Sequence, residues 1–380
     1  HIERSHIGEF PWAFGECLKS LAEKLLTEPG LERARQLKDV AHPLLFIMAE
    51  GGLSAFEARN DKTFTFPSIS KRRVFTIVVP RSLKNYVLLH AILGHEVCHA
   101  ALWTEKLRPH INSATKPISR IDPLKSVKKL NAWAEHYCPD IQSIPERQAE
   151  DMRLDWLNEL KCDLFGLIFM GPAYLAAMRT MLSLSDPTGA KLDTGHPPHV
   201  WRYQLLEYAY RELGWDKPLP TSVSKPIRDA QVKFNKVLFN YDHEAMGTDE
   251  VILKKEVEIA TRKFRKLLKD HGAFDYRPPD PAMLETLIGD IRRRRPPIGQ
   301  SVSDDKIDFA GAEFRQVLHA GWMSRHAGVS KDWPEEEKEN EYTIINRLCE
   351  QAIIQGRGIA LALGPDTTKR SPAKRKTRAR

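Results

Sequence analysis

The residues best suited to chemistry are two histidines and a glutamate in the string HEVCH, residues 95–99. On a helix, residues i and i+4 lie one above the other on one face, so His95 and His99 can bind a single metal ion. Imidazole nitrogens are frequent zinc ligands, and Glu96 beside them can serve as general base for a water. The alternative is two histidines packed on a core helix without a metal. A third ligand would decide between them.

A pair of acidic residues, Glu159 and Asp163, follows sixty residues after His99. A catalytic zinc takes three protein ligands and keeps one position open, which predicts Glu159 as the third ligand. Asp163, again at i+4, can accept a hydrogen bond from the second ring nitrogen of a ligand histidine. Leucines and phenylalanines around the pair predict a core helix, where carboxylates need partners. A solvated acidic face is the alternative interpretation, and Glu150 is the alternative third ligand.

HEVCH followed by this ExxxD-type pair and a Phe-Gly resembles the gluzincin class of zinc metallopeptidases. The sixty residues between His99 and Glu159 are similar in number to those in the CaaX-prenyl-protease and heat-shock-metalloprotease family. The chain resembles a soluble minimal relative of that family. That family carries a His-Pro after the glutamate helix and an arginine six residues beyond the histidine, matched here by His196 and Arg202. The resemblance covers about residues 73–210. It implies a zinc-dependent endopeptidase acting on protein or peptide substrates, with Zn²⁺ as cofactor.

The resemblance also implies a role for each matching side chain. The zinc ligands are His95, His99 and Glu159, the general base is Glu96, the outer partner is Asp163, and the oxyanion donors are His196 and Arg202. A hydrogen bond to an oxygen that gains negative charge becomes stronger in the transition state. This agrees with His196 and Arg202 as oxyanion donors. His199 competes with His196 for this role. The alternative for the pair is a helix-terminal histidine and a surface arginine.

Cys98 and Cys162 lie inside the two metal-binding strings, where we expect them to be small core residues. A redox role, or a fourth and inhibitory thiolate ligand, is the alternative. The chain has only five cysteines, an odd and scattered set that favours a reducing compartment, and we expect a cytoplasmic protein. The longest apolar run, residues 164–178, is shorter than the roughly 20 residues that a membrane span needs, so we expect no span.

The elements that must position these residues can be read from the same sequence. Helices are predicted over 83–103 and 145–169, one for each metal-binding string. The β-branched run at 73–79 predicts a strand. By the resemblance it is the edge strand beside the active site, able to hold an extended peptide by β-augmentation, and an internal strand is the alternative. The proline-containing stretch 104–127 predicts an irregular insertion.

The predicted fold class is α+β, mostly α, with a zincin-like core, a small sheet and two metal-bearing helices, followed by a helical C-terminal domain. The Pro-rich break at 214–226 is the predicted domain boundary. The predicted units are an N-terminal helical segment (1–50), a metallopeptidase domain (51–213), a helical domain (227–360) and a disordered basic tail (361–380).

The net charge of +8 is concentrated in that tail, because residues 369–380 hold seven Lys/Arg and no acid. The rest of the chain is nearly neutral, which argues against a nucleic-acid-binding core. The tail predicts a weak contact with nucleic acid, and the alternatives are an address signal or a segment that only keeps the chain soluble. Two alternatives to a free peptidase follow: a regulatory or interaction protein with a silent or structural zinc site, and a nucleic-acid-tethered protease.

Overall fold

The computed structural model describes most of the chain as helix with a small sheet, which confirms the class α+β, mostly α. The described residues are 11–26, 44–50, 56–61, 74–104, 107–121, 126–137, 143–185, 195–239, 250–270, 276–299, 302–303, 306–307 and 312–363. The tail predicted for 361–380 lies outside them from residue 364 onward, and residues 361–363 end a helix. No helix in these ranges has the length and apolarity needed to cross a membrane.

The α-helices are numbered along the chain. They are α1 (Trp12–Leu26), α2 (Leu93–Leu102), α3 (Leu107–Thr115), α4 (Val127–Tyr137), α5 (Glu146–Met170), α6 (Pro172–Ser185), α7 (His199–Glu212), α8 (Lys225–Leu238), α9 (Glu250–Asp270), α10 (Pro281–Arg292), α11 (Phe314–Ala327), α12 (Glu335–Lys338) and α13 (Glu341–Leu363). Short 3₁₀ helices cover Arg81–Leu83, Leu89–Ile92, Lys116–Arg120 and Val329–Asp332.

The main sheet has three described strands in the order β1-β3-β2: β1 (Leu44–Glu50), β2 (Glu57–Asp61) and β3 (Val74–Pro80). β3 runs parallel to β1 and antiparallel to β2, with Ile77 opposite both Ile47 and Ala58. Because β3 is central, its residues from Phe75 to Pro80 are buried. A second, minimal pair joins β4 (Val302–Ser303) to β5 (Lys306–Ile307).

Three predictions about local structure are wrong. The strand at 73–79 is internal rather than at an edge, because β1 and β2 flank it. Residues 44–48, predicted as part of a helical segment, lie in β1, since a short apolar run does not distinguish a strand from a buried helix. The stretch 104–127, predicted as irregular, contains α3 and a 3₁₀ helix.

The two helices predicted to carry the metal-binding strings are α2 and α5. The bounds of α5 match the predicted 145–169 within a residue, whereas α2 begins at Leu93, ten residues later than predicted. The helices approach closely at Gly94, where a Cβ atom would lie 2.5 Å from Met170 Cγ and 3.4 Å from Gly166 Cα. Glycine at this position therefore lets the N-terminal end of α2 lie directly on α5.

The C-terminal half joins the same apolar core as the helices that carry HEVCH and Glu159. α9 packs against α3 and α7, and α11 packs against α6. Trp322 Nε1 donates to the carbonyl of Leu88 at 3.0 Å, and Asn346 Oδ1 accepts from the amide of Leu88 at 3.0 Å. α11 and α13 thus hold the segment that leads into α2. The predicted division into domains at 214–226 stays a prediction.

Candidate metal centre

Helix α2 presents both histidines of HEVCH on one face. Their Nε2 atoms lie 3.1 Å apart, and the rings meet edge to face with centroids 4.8 Å apart. The His95 side chain is 6% exposed and that of His99 is 23% exposed. Two imidazole nitrogens therefore point at one small volume that is nearly closed to solvent. Glu96, between them on the helix, is 7% exposed.

Glu159 of α5 faces the same volume. Its Oε2 lies 3.1 Å from His95 Nε2 and its Oε1 lies 3.2 Å from His99 Nε2. Zinc bonds of about 2.0–2.2 Å to nitrogen and oxygen place two ligand atoms of a tetrahedral site about 3.3 Å apart. The three separations in this cluster are close to that value. The structure thus brings together the three residues that the sequence predicted as ligands.

Asp163, one turn beyond Glu159, contacts the other side of the His95 ring. Its Oδ1 lies 3.0 Å from His95 Nδ1 and also accepts a 2.7 Å hydrogen bond from the Tyr174 hydroxyl. An acceptor at Nδ1 keeps a ring proton there and leaves Nε2, which faces Glu159, as the nitrogen that can bind a metal ion. This is the contact that the ExxxD spacing predicted for Asp163.

Arg202 of α7 forms a bidentate ion pair with the Asp163 carboxylate. Its Nε and one terminal nitrogen reach the two Asp163 oxygens at 2.6 and 2.7 Å, and the residue is 4% exposed. A terminal nitrogen lies 3.8 Å from Glu159 Oε2. Arg202 is therefore a buried partner of Asp163 and not a surface arginine. Its predicted part in stabilising an oxyanion stays a prediction.

His196 lies at the open side of the cluster. Its Nε2 is 3.5 Å from Glu159 Oε2, and half of its side chain is exposed. His199, its competitor in the sequence, is the first residue of α7 and is partly buried. Glu150, the alternative third ligand, is exposed and lies nine residues before Glu159 on α5, about 13 Å along the helix axis. The structure thus favours Glu159 over Glu150.

Cys98 and Cys162 are both fully buried in the apolar core, as expected for small core residues. Cys162 lies on α5, three residues after Glu159. Its sulfur and one ring nitrogen from each of His95 and His99 all lie within 4.8 Å of one another. Burial, together with the adjacent Cys98, raises the pKa of the Cys162 thiol well above its usual value. The thiol is therefore protonated unless a cation displaces its proton.

The electrostatics of the cluster favour a bound cation. Burial alone would lower the pKa of His95, but Glu159 and the hydrogen bond to Asp163 outweigh it and hold that pKa well above the usual value. Burial would raise the pKa of Glu159, yet the histidines and Arg202 keep it well below normal. Two buried carboxylates, Glu159 and Asp163, face one permanent cation, Arg202. In the absence of a metal ion, protons on the histidines supply the missing positive charge.

Two aromatic residues at the site carried no sequence motif. Tyr174 of α6 reaches back to Asp163 and lies 3.3 Å from His95 Nδ1 through its hydroxyl. Trp103 stacks on His99 with ring centroids 6.4 Å apart, and Phe75 of β3 stacks on Trp103. Trp103 follows His99 by four residues, so helical spacing could have pointed to it. Nothing in the sequence pointed to Tyr174.

Comparison of the chain with protein families, with curated proteins and with solved structures finds no match. The resemblance to gluzincins therefore depends on the motif residues and their geometry alone.

Proposed function

We propose that the protein is a zinc-dependent peptidase with a gluzincin-type site. One observation carries the proposal: His95 Nε2, His99 Nε2 and the Glu159 carboxylate converge with separations of 3.1–3.2 Å. Three such ligand groups at this distance repel one another unless positive charge lies between them, from protons on the histidines or from a metal ion that replaces those protons.

The donor set fits zinc. Two imidazoles and one carboxylate from His95, His99 and Glu159 are the ligand types of catalytic zinc sites that keep one position open. Glu159 Oε2 is buried and forms no hydrogen bond of good geometry within the described residues, so it is available as a ligand. Bound zinc supplies a Lewis acid that lowers the pKa of water to about 7 and polarises a carbonyl.

The residues of the chain supply the remaining steps. Glu96, next to His95 on α2, accepts the proton of the attacking water on its carboxylate and returns it to the leaving amine. His196 at the open side donates to the oxyanion that forms as water adds to the peptide carbonyl. Arg202 and Tyr174 act through Asp163, which they hold against His95 Nδ1. These three residues fix the tautomer and the direction of the His95 ring.

The sheet offers a place for an extended substrate. β3 is internal, so the peptide-binding strand proposed from the sequence cannot be residues 73–79. β2 lies at an edge of the described sheet and packs against α2. A peptide paired with β2 by β-augmentation would run beside the helix that carries His95 and His99.

A regulatory or interaction protein with a structural zinc site is the second candidate. The proximity of Cys162 to both histidines favours it, because structural zinc sites are closed by four protein ligands. The nucleic-acid-tethered protease depends on the tail at 369–380, which lies outside the described residues.

Zinc content and peptide-library cleavage of three proteins test the proposal: wild type, Glu96→Gln and Glu150→Gln. We expect one zinc per chain in all three. We expect Glu96→Gln to lose a factor of about 10²–10⁴ in cleavage rate, because proton transfer contributes that much. The exposed Glu150→Gln variant should cleave like wild type.

Undiminished cleavage by Glu96→Gln would refute the assignment of the base. Zinc without any cleavage by wild type would favour the structural zinc site instead.

A further inference from the structure

We propose that Cys162 is a fourth protein ligand of this metal centre and closes it until a peptide substrate displaces the sulfur. The inference rests on the proposed zinc site and concerns its regulation. The main support is a distance: the Cys162 sulfur lies within 4.8 Å of a ring nitrogen of both His95 and His99. Cys162 lies on α5, the helix that also carries Glu159.

The distances fit a sulfur ligand that moves a short way. Zinc–sulfur bonds are about 2.3 Å and zinc–nitrogen bonds about 2.0–2.1 Å, so sulfur and nitrogen in one tetrahedral site lie about 3.6 Å apart. The observed limit of 4.8 Å exceeds this by about one ångström, which a side-chain rotation of Cys162 can supply. Residues i and i+3 share a helix face, so Glu159 and Cys162 can reach the same ion.

A second feature independently marks a ligand position. Glu159 is 8% exposed, and its Oε2, directed at His95, forms no hydrogen bond of good geometry. The two histidines contact both groups: their Nε2 atoms lie 3.1 and 3.2 Å from Glu159 oxygens, and one ring nitrogen of each lies within 4.8 Å of the Cys162 sulfur. Four protein ligands leave no position for water, whereas withdrawal of the Cys162 thiolate restores the open position of a catalytic site.

Cys98 supplies a matched control. It is equally buried and lies on α2 between the two histidines, but it is not part of the ligand cluster. A comparison of Cys162→Ser with Cys98→Ser therefore separates metal ligation from the loss of a buried thiol.

The test is zinc K-edge X-ray absorption on the full-length protein loaded with one equivalent of zinc. We expect one sulfur neighbour at about 2.3 Å in wild type and in Cys98→Ser, and its loss in Cys162→Ser, with nitrogen and oxygen neighbours retained. The wild-type spectrum shows whether zinc has a sulfur ligand even if a variant does not fold.

Zinc bound through nitrogen and oxygen alone in wild type would overturn the inference and leave the proposed peptidase site intact. A sulfur neighbour that is lost in Cys98→Ser and kept in Cys162→Ser would also overturn it. Failure of wild type to bind zinc would overturn both the inference and the proposed function.

Discussion

Two groups of buried or partly buried histidines in this protein differ in the residues that face them. His95 and His99 on α2 face the Glu159 carboxylate, and the pKa of His95 is held well above normal. His319 on α11 is 5% exposed and lies against Phe234 and Tyr276, and burial lowers its pKa to about 3. His326, also on α11, has its pKa lowered to about 4 by burial and by neighbouring arginines.

The difference shows that burial alone does not identify a functional histidine. At α11 the surroundings are aromatic or cationic, so the neutral imidazole is stable and serves packing. At α2 the surroundings are acidic, so the imidazoles are stable only with an added positive charge, from protons or from a metal ion. Carboxylates within hydrogen-bond distance distinguish the two groups.

The largest contrast is expected when one histidine is removed from each group. His95→Ala should lower zinc affinity by more than about 100-fold, because loss of a ligand exceeds the 10–100-fold effect of an outer partner. His319→Gln should leave zinc affinity unchanged. Competition with a chromophoric chelator measures both. Equal zinc affinities in the two variants would contradict the metal centre on α2.

The next largest effect is expected from the loss of Arg202, the buried arginine that pairs with Asp163. Arg202→Gln leaves Asp163 buried without its bidentate partner and should cost about 3–5 kcal/mol of stability. Arg262→Gln is the control, because Arg262 forms an exposed i,i+4 ion pair with Glu258 and should cost no more than about 0.5 kcal/mol. Denaturant unfolding measures both. Similar losses of unfolding free energy in the two variants would show that the Arg202–Asp163 pair does not stabilise the fold.

Asp163→Asn tests the outer contact to His95. The amide keeps the shape but loses the charge, so we expect zinc affinity to fall by about 10–100-fold. Asp155→Asn, exposed on the same helix two turns earlier, should leave zinc affinity unchanged. Chelator competition again provides the measurement. A decrease below threefold for Asp163→Asn would remove Asp163 from the metal centre.

The smallest effect is the pH dependence of stability. The folded pKa of His319, about 3, lies below its ordinary value near 6.5, so the unfolded chain binds this proton first as pH falls. Stability contributed by neutral His319 is complete above about pH 6.5 and is lost toward pH 3, at up to about 1.4 kcal/mol per pH unit. For metal-free His95 the sign is opposite, and stability is lost as pH rises above about 6.5.

Urea unfolding of metal-free protein between pH 7 and 5 checks the acid side. His319→Gln should reduce the fall in unfolding free energy from pH 7 to pH 5. The variant His110→Gln, at an exposed position, should not change it. An unchanged slope in His319→Gln would contradict a neutral, structural His319.

Much of the site could be predicted from the sequence because it depends on helical spacing. The i,i+4 pairs in HEVCH and in Glu159–Asp163 fix which side chains share a face, and the apolar neighbours fix which face is buried. The structure brings the predicted ligands His95, His99 and Glu159 together. These contacts need only two helices to pack side by side.

Features that depend on contacts distant in sequence could not be predicted. The central position of β3 follows from pairing with β1 and β2, which no local pattern encodes. The strand at 44–50, which the sequence predicts as part of a helical segment, likewise depends on its pairing with β3. The contact of Tyr174 with Asp163 depends on the direction in which α6 turns after Gly171. The hydrogen bond from Trp322 to the Leu88 carbonyl joins residues that are 234 positions apart in the sequence.

The most direct test of the account is the identification of new protein N-termini in a proteome digested with zinc-loaded wild type or with zinc-loaded Glu96→Gln. We expect a set of cleavage sites generated by wild type and absent with Glu96→Gln at equal zinc content. Identical sets of N-termini from the two proteins, or none beyond the untreated proteome from wild type, would contradict it.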